Sequence, residues 1–217
     1  MNARQLILFV AVLLVAAFIL RLAFWRAVLF FRPKSLRIDA EDPPGKERVP
    51  KSLARLTKEL EALGFVPLGS HSERPLFGPV TICFDYARAE NKTFATIFES
   101  RWGAPRLYFM SLLAGGPGFV ITANYRRPAK ELPGRYISGW LEDIPADRVF
   151  RAHVRRIEGM ALEGTFTQAA RLEYARAFAD GPGVSEARQE HVQGLLWTFG
   201  SLGMVAAAIF GTLRSMK

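Results

Sequence analysis

The densest polar cluster among the β-prone runs of this chain is FESRWG. There Glu99 and Arg101 share one side of an extended run while Phe98, Ser100 and Trp102 share the other. A carboxylate beside a guanidinium can hold a ligand or take part in acid–base chemistry, with Asp85 and Arg88 supplying charge on the preceding run. The commoner use of such residues is a cross-strand ion pair on a solvated sheet face, and that is the expectation here. Cys83 is the single cysteine, so it forms no intramolecular disulfide. Pairing it with His153 would need an exposed, activated thiolate, which the apolar run VTICFDY does not offer. The three histidines, at 71, 153 and 191, show no close ligand spacing, so neither a metal nor a cofactor is expected. His153 stands beside an apolar helical stripe and reads as a packed residue. AGGPG at 114–118 lacks the Gly-Lys-Ser/Thr ending of a phosphate loop and reads as a hairpin turn. No catalytic residue is assigned.

The elements that must carry these groups follow from periodicity. In KSLARLTKELEALGF, Leu53, Leu56, Leu60 and Leu63 form one apolar helical stripe between Pro50 and a stop at Gly64. VTICFDYARA, TFATIFESRW, RLYFMSLLA, GFVITANYRR and YISGWLED then read as five strands in an antiparallel meander. Two further helices are expected. One starts near Pro145 with Phe150, Val154, Ile157 and Ala161 inward; the other carries Phe166, Ala170, Tyr174 and Phe178 and stops at Gly181. The fold class is therefore α+β.

Both ends of the chain are apolar. Leu6 to Leu20 is a run of fifteen uncharged residues. Extended to Trp25 it reaches about 30 Å of helix, one bilayer core, with Arg21 near its end able to snorkel to the headgroups. A cleaved signal fits less well, because no small-x-small site precedes the bulky, basic FWRAVLFFRPK. Val192 to Leu213 has no charge over 22 positions and is long enough to span. In it Gly203, Ala207 and Gly211 recur every fourth residue and offer a smooth face for helix–helix contact.

The expected organisation is a transmembrane helix and interfacial extension over 1–31, a basic then proline-rich linker over 32–50, a soluble α+β domain over 51–183, and a second transmembrane helix and tail over 184–217. Lys and Arg exceed Asp and Glu by 29 to 20, a net charge of +9, which suits anionic lipid. Dispersed basic residues without interleaved aromatics argue against nucleic acid. Arg21, Arg26, Arg32, Lys34 and Arg37 follow the first span and place the central domain in the cytoplasm of a bacterial inner membrane. Arg214 and Lys217 pull weakly the other way. These features lead to the expectation of a non-catalytic accessory or assembly subunit, bound to anionic lipid and to other membrane subunits. The alternative is a membrane-bound enzyme or a lipid- or small-ligand-binding protein with a pocket between sheet and helices.

Overall fold

The computed structural model describes residues 3–40, 49–116 and 118–215. The middle of the expected linker, the proline of AGGPG and the terminal lysine lie outside the described residues. Helix α1 (Ala3–Phe31) is continuous through the first apolar run, and α5 (Gly183–Ser215) through the second. Both are long and apolar enough to cross a membrane. They pack antiparallel, because the end of α1 meets the start of α5: the Trp25 and His191 rings are 5.5 Å apart. Small residues make the seam. Ala16, Ala23 and Ala27 of α1 and Thr198 and Ser201 of α5 are buried, and a Cβ built on Gly194 would overlap the Arg26 side chain.

Between the spans lies a sheet of nine strands among the described residues, not five. They are β1 (Arg37–Ala40), β2 (Val66–Arg74), β3 (Thr81–Arg88), β4 (Thr93–Glu99), β5 (Pro105–Leu113), β6 (Gly118–Ala123), β7 (Lys130–Leu132), β8 (Tyr136–Trp140) and β9 (Leu162–Glu163). The order is β1-β2-β3-β4-β5-β6-β8-β7, with β9 added to the end of β5. From β1 to β6 every pairing is antiparallel, as a meander requires. The meander ends there. The chain passes to the outer edge as β7, turns back at Gly134 (φ 68°), and inserts β8 parallel to β6.

The additional strands have physical reasons to escape a reading by alternation. β1, β7 and β9 hold only two to four residues each. β2 contains Pro67 and Gly69, with a bulge between them, and so imitates a loop. Arg37–Ala40, assigned to a linker by composition, is instead the edge strand, paired from Arg37 opposite Arg74 to Ala40 opposite His71.

One face of the sheet carries the main core. Helix α2 (Ala54–Ala62) buries Leu56 and Leu60, with Leu53 just before it, and Gly64 at φ 79° ends it as expected. Helix α3 (Ala146–Ile157) adds Val149 and Phe150 against Phe65 and Phe109. The opposite face is covered at one end by α4 (Gln168–Asp180), whose Tyr174 and Phe178 pack on Phe94, Phe119 and Tyr136. At the other end that face is roofed by the junction of α1 and α5, leaving a cavity between them.

Candidate functional site

The two-residue period of a strand puts His71 and Glu73 of β2, and Cys83 and Asp85 of β3, on one face of the sheet. The register makes them neighbours, since His71 lies opposite Cys83. His71, Cys83 and Asp85 are buried. His71 Nδ1 is 2.5 Å from Asp85 Oδ2, and Thr96 Oγ1 on β4 donates to Asp85 Oδ1 at 2.8 Å. From above, α4 delivers Arg171, 1% exposed, with Nε 3.2 Å from Asp85 Oδ1. Its Nη2 donates to Thr96 Oγ1 at 2.9 Å and to the Tyr108 hydroxyl at 2.5 Å.

Burial disfavours charge on both members of the His71–Asp85 pair, yet each charge sustains the other. Burial alone would lower the His71 pKa; the charge of Asp85 and their hydrogen bond reverse this and hold it well above the ordinary value. Burial would likewise raise Asp85, but Arg171 and then His71 keep it below the usual carboxylate range. Burial pushes the Cys83 thiol up to about 12. A buried neutral thiol is not an activated nucleophile.

Glu73, Cys83, Tyr108 and Arg171 of this cluster line a cavity of about 810 Å³, with His71, Asp85 and Thr96 behind them. The sheet face supplies Phe98, Arg106 and Tyr108, α4 supplies Arg171 and Phe178, and the helical junction supplies Trp25, Arg26 and Glu186. A second buried ion pair closes the far side: Arg127 donates to Glu186 at the start of α5, and the Tyr136 hydroxyl donates to the same carboxylate. Four guanidinium nitrogens of cavity-lining arginines, Arg26 Nε, Arg127 Nε and both Nε and Nη1 of Arg171, are buried with no hydrogen-bond partner among the described residues, although Arg171 Nε is ion-paired with Asp85. Buried polar groups are ordinarily satisfied, so the orphaned donors of three arginines around one cavity are left unexplained by the hydrogen bonds of the described residues.

Of the residues singled out by type, Asp85 and Cys83 fall in this cluster and the others are dispersed. Glu99 and Arg101 both line the cavity but make no pair. Glu99 accepts from Ser52 Oγ. Arg101, in the turn after β4, reaches α1 and donates from Nη1 to the Leu22 carbonyl at 3.3 Å. Arg88 pairs with Glu90 at the other end of its strand. His153 lies on the opposite face of the sheet, fully buried, with its ring nitrogens each 3.0 Å from Ser111 Oγ and Thr122 Oγ1. Burial, then the charge of Arg156, lowers its pKa to about 3. It is a neutral core residue.

Among the basic residues after the first span, Arg21, Arg32, Lys34 and Arg37 are exposed, whereas Arg26 turns inward against α5. Gly203, Ala207 and Gly211 are exposed and face away from α1; a Cβ at either glycine would meet nothing within 4 Å. The first span therefore uses the Gly194, Thr198 and Ser201 face and leaves the other stripe open.

Sequence reasoning passed over His71, Glu73, Arg127, Arg171 and Glu186. Arg171 had a readable signal, standing at i, i+3 and i+7 with Tyr174 and Phe178 on one helix face. His71 and Glu73 had none without the β2–β3 register. Comparison with known proteins finds no matching family model, no matching curated protein and no matching solved structure.

Proposed function

We propose that this chain is a membrane-anchored binding protein that takes an anionic amphiphile into the cavity between its sheet and the junction of its two spans. The observation that carries the reading is that Arg26, Arg127 and Arg171 line one cavity and each keeps a buried guanidinium nitrogen with no hydrogen-bond partner among the described residues. An anionic headgroup offers the acceptors those donors lack. Leu29, Pro33, Ile38 and Phe178 offer the apolar remainder of the lining to an acyl or ring system. The position fits such a ligand. Counting twenty residues along each helix from the Arg26 and Gly194 contact gives about 30 Å of helix whose one charge, Arg21, can snorkel to the near headgroups, so Trp25 and His191 fall near the membrane–water boundary. The cavity then opens beside the headgroups, where an amphiphile is concentrated.

In this reading Arg21, Arg32, Lys34 and Arg37 hold the domain on anionic lipid at the cytoplasmic face of a bacterial inner membrane, at about 1 kcal/mol per basic residue near the surface. The test is binding of a fluorescent anionic amphiphile to the full chain in neutral detergent, with a zwitterionic analogue of the same chain length for comparison. Loss of one charge-assisted contact in Arg26→Gln weakens binding of the anionic probe by about 1.5–3 kcal/mol, roughly 10–100-fold. Equal affinity for both probes, or no effect of Arg26→Gln, contradicts the proposal.

A second reading rests on a different observation, the open stripe of Gly203, Ala207 and Gly211. It suits a partner helix in lipid and makes the chain an accessory or assembly subunit of a larger membrane complex. Gly203→Leu with Gly211→Leu leaves insertion intact and releases the chain from its complex. Unchanged co-purification of partner subunits removes this reading.

A further inference from the structure

The inner wall of the cavity carries more than the acceptor-hungry arginines. One donor atom from each of His71, Glu73 and Cys83 lies within 4.8 Å of those of the other two. His71 Nε2 is 3.7 Å from Glu73 Oε1, beyond hydrogen-bond length, and has no hydrogen-bond partner among the described residues although the side chain is fully buried. Its other nitrogen is fixed by Asp85. A carboxylate on Nδ1 that turns Nε2 toward a thiol and a second carboxylate is the arrangement by which proteins orient a metal-binding imidazole.

We infer that His71 Nε2, Cys83 Sγ and a Glu73 carboxylate oxygen form a binding site for a divalent zinc-like ion, with Asp85 as the residue that positions His71. Mixed nitrogen, sulfur and carboxylate donors favour zinc over hard cations such as magnesium or calcium. The ion takes the place of two protons, the one His71 carries on Nε2 in its pair with Asp85 and the one on the Cys83 thiol, both released to solvent. The charges then close: the ion is matched by the Glu73 carboxylate and the Cys83 thiolate, His71 is neutral, and Arg171 is matched by Asp85. The backbone is suited to hold the set, since adjacent strands in fixed register supply all three donors. Three protein ligands leave a tetrahedral ion one further position, and Glu73 and Cys83 both line the cavity. The site therefore presents a Lewis-acidic centre to whatever the cavity admits. This inference stands on the cluster alone and holds whether or not the cavity takes an amphiphile.

The experiment is titration of the full chain, purified in neutral detergent and stripped with a chelator, with Co²⁺ followed by competing Zn²⁺. Because Cys83 is the sole cysteine, a thiolate-to-cobalt charge-transfer band in the near ultraviolet belongs to it. The expected result is that band at one equivalent of Co²⁺, its loss on adding Zn²⁺, and its absence in Cys83→Ser. Glu73, with a side chain one-third exposed, allows a substitution that spares the buried network. Glu73→Gln is expected to retain the fold and weaken Co²⁺ affinity at least about tenfold. No charge-transfer band on the wild-type chain, a band that persists in Cys83→Ser, or unchanged affinity in Glu73→Gln overturns the inference. The amphiphile assay, run on chelator-stripped protein, reads separately.

Discussion

His153 offers a way to measure whether a titratable residue belongs to the core or to chemistry. Its imidazole is fully buried between Ser111 and Thr122, and burial together with Arg156 lowers its pKa from 6.5 to about 3. The unfolded chain therefore takes up a proton at this residue near pH 6.5, while the folded chain does so only near pH 3. Because the unfolded state binds more protons in that window, stability falls as the pH drops below the unfolded value, and the contribution is fully present above it. Each pH unit within the window is worth about 1.4 kcal/mol, so moving from about pH 6.5 to about pH 5 removes on the order of 2 kcal/mol. His153→Gln deletes the titration and keeps a donor and an acceptor for the two hydroxyls. Urea unfolding of the full chain in detergent, followed by tryptophan fluorescence, is expected to show the wild type losing that stability between the two pH values. The variant, although weaker near pH 7, is expected to stay nearly flat. Parallel pH dependences for the two proteins would refute the reasoning, because they would mean that His153 titrates equally in both states.

Three further outcomes follow from other parts of the molecule. Gly194→Leu forces a side chain into Arg26 across the helical seam and is expected to loosen the pair, read as increased proteolysis of α1 in detergent; Gly203→Leu, in open space, is expected to leave the isolated chain unchanged. Asp85→Asn strips the charge facing both His71 and Arg171 and is expected to cost about 3–5 kcal/mol in denaturant unfolding, as for other broken buried pairs. Glu186→Gln uncouples α5 from Arg127 and is expected to expose the cavity, measured as faster amide exchange at the start of α5 while α3 and its core stay protected.

The parts of this fold that could be read in the sequence are those governed by one local period. The α2 stripe and the central strands obey such a period, because each buries a face set by its own residues, and the two end helices show as long uncharged runs. The strands that escaped do not: β2 is broken by Pro67 and Gly69, and β1, β7 and β9 are held by neighbours they do not resemble. The site was less legible for the same reason. HSE at 71–73 and CFD at 83–85 are unremarkable separately, and only register brings His71 opposite Cys83. Arg26 looked like a headgroup contact by its place after an apolar run, whereas Gly194 draws α5 so close that Arg26 is turned inward. Glu99 and Arg101 sat on one face of an imagined straight strand, but the chain turns after Glu99 and sends Arg101 to α1.

The most direct measurement is native mass spectrometry of the full chain, extracted gently in neutral detergent from the cells that make it, beside Ala187→Trp, which fills the cavity from α5. The expected result is one bound anionic amphiphile per wild-type chain and none on the variant. A wild-type chain that leaves the membrane bare, or a ligand kept equally by Ala187→Trp, would contradict the cavity as a binding site.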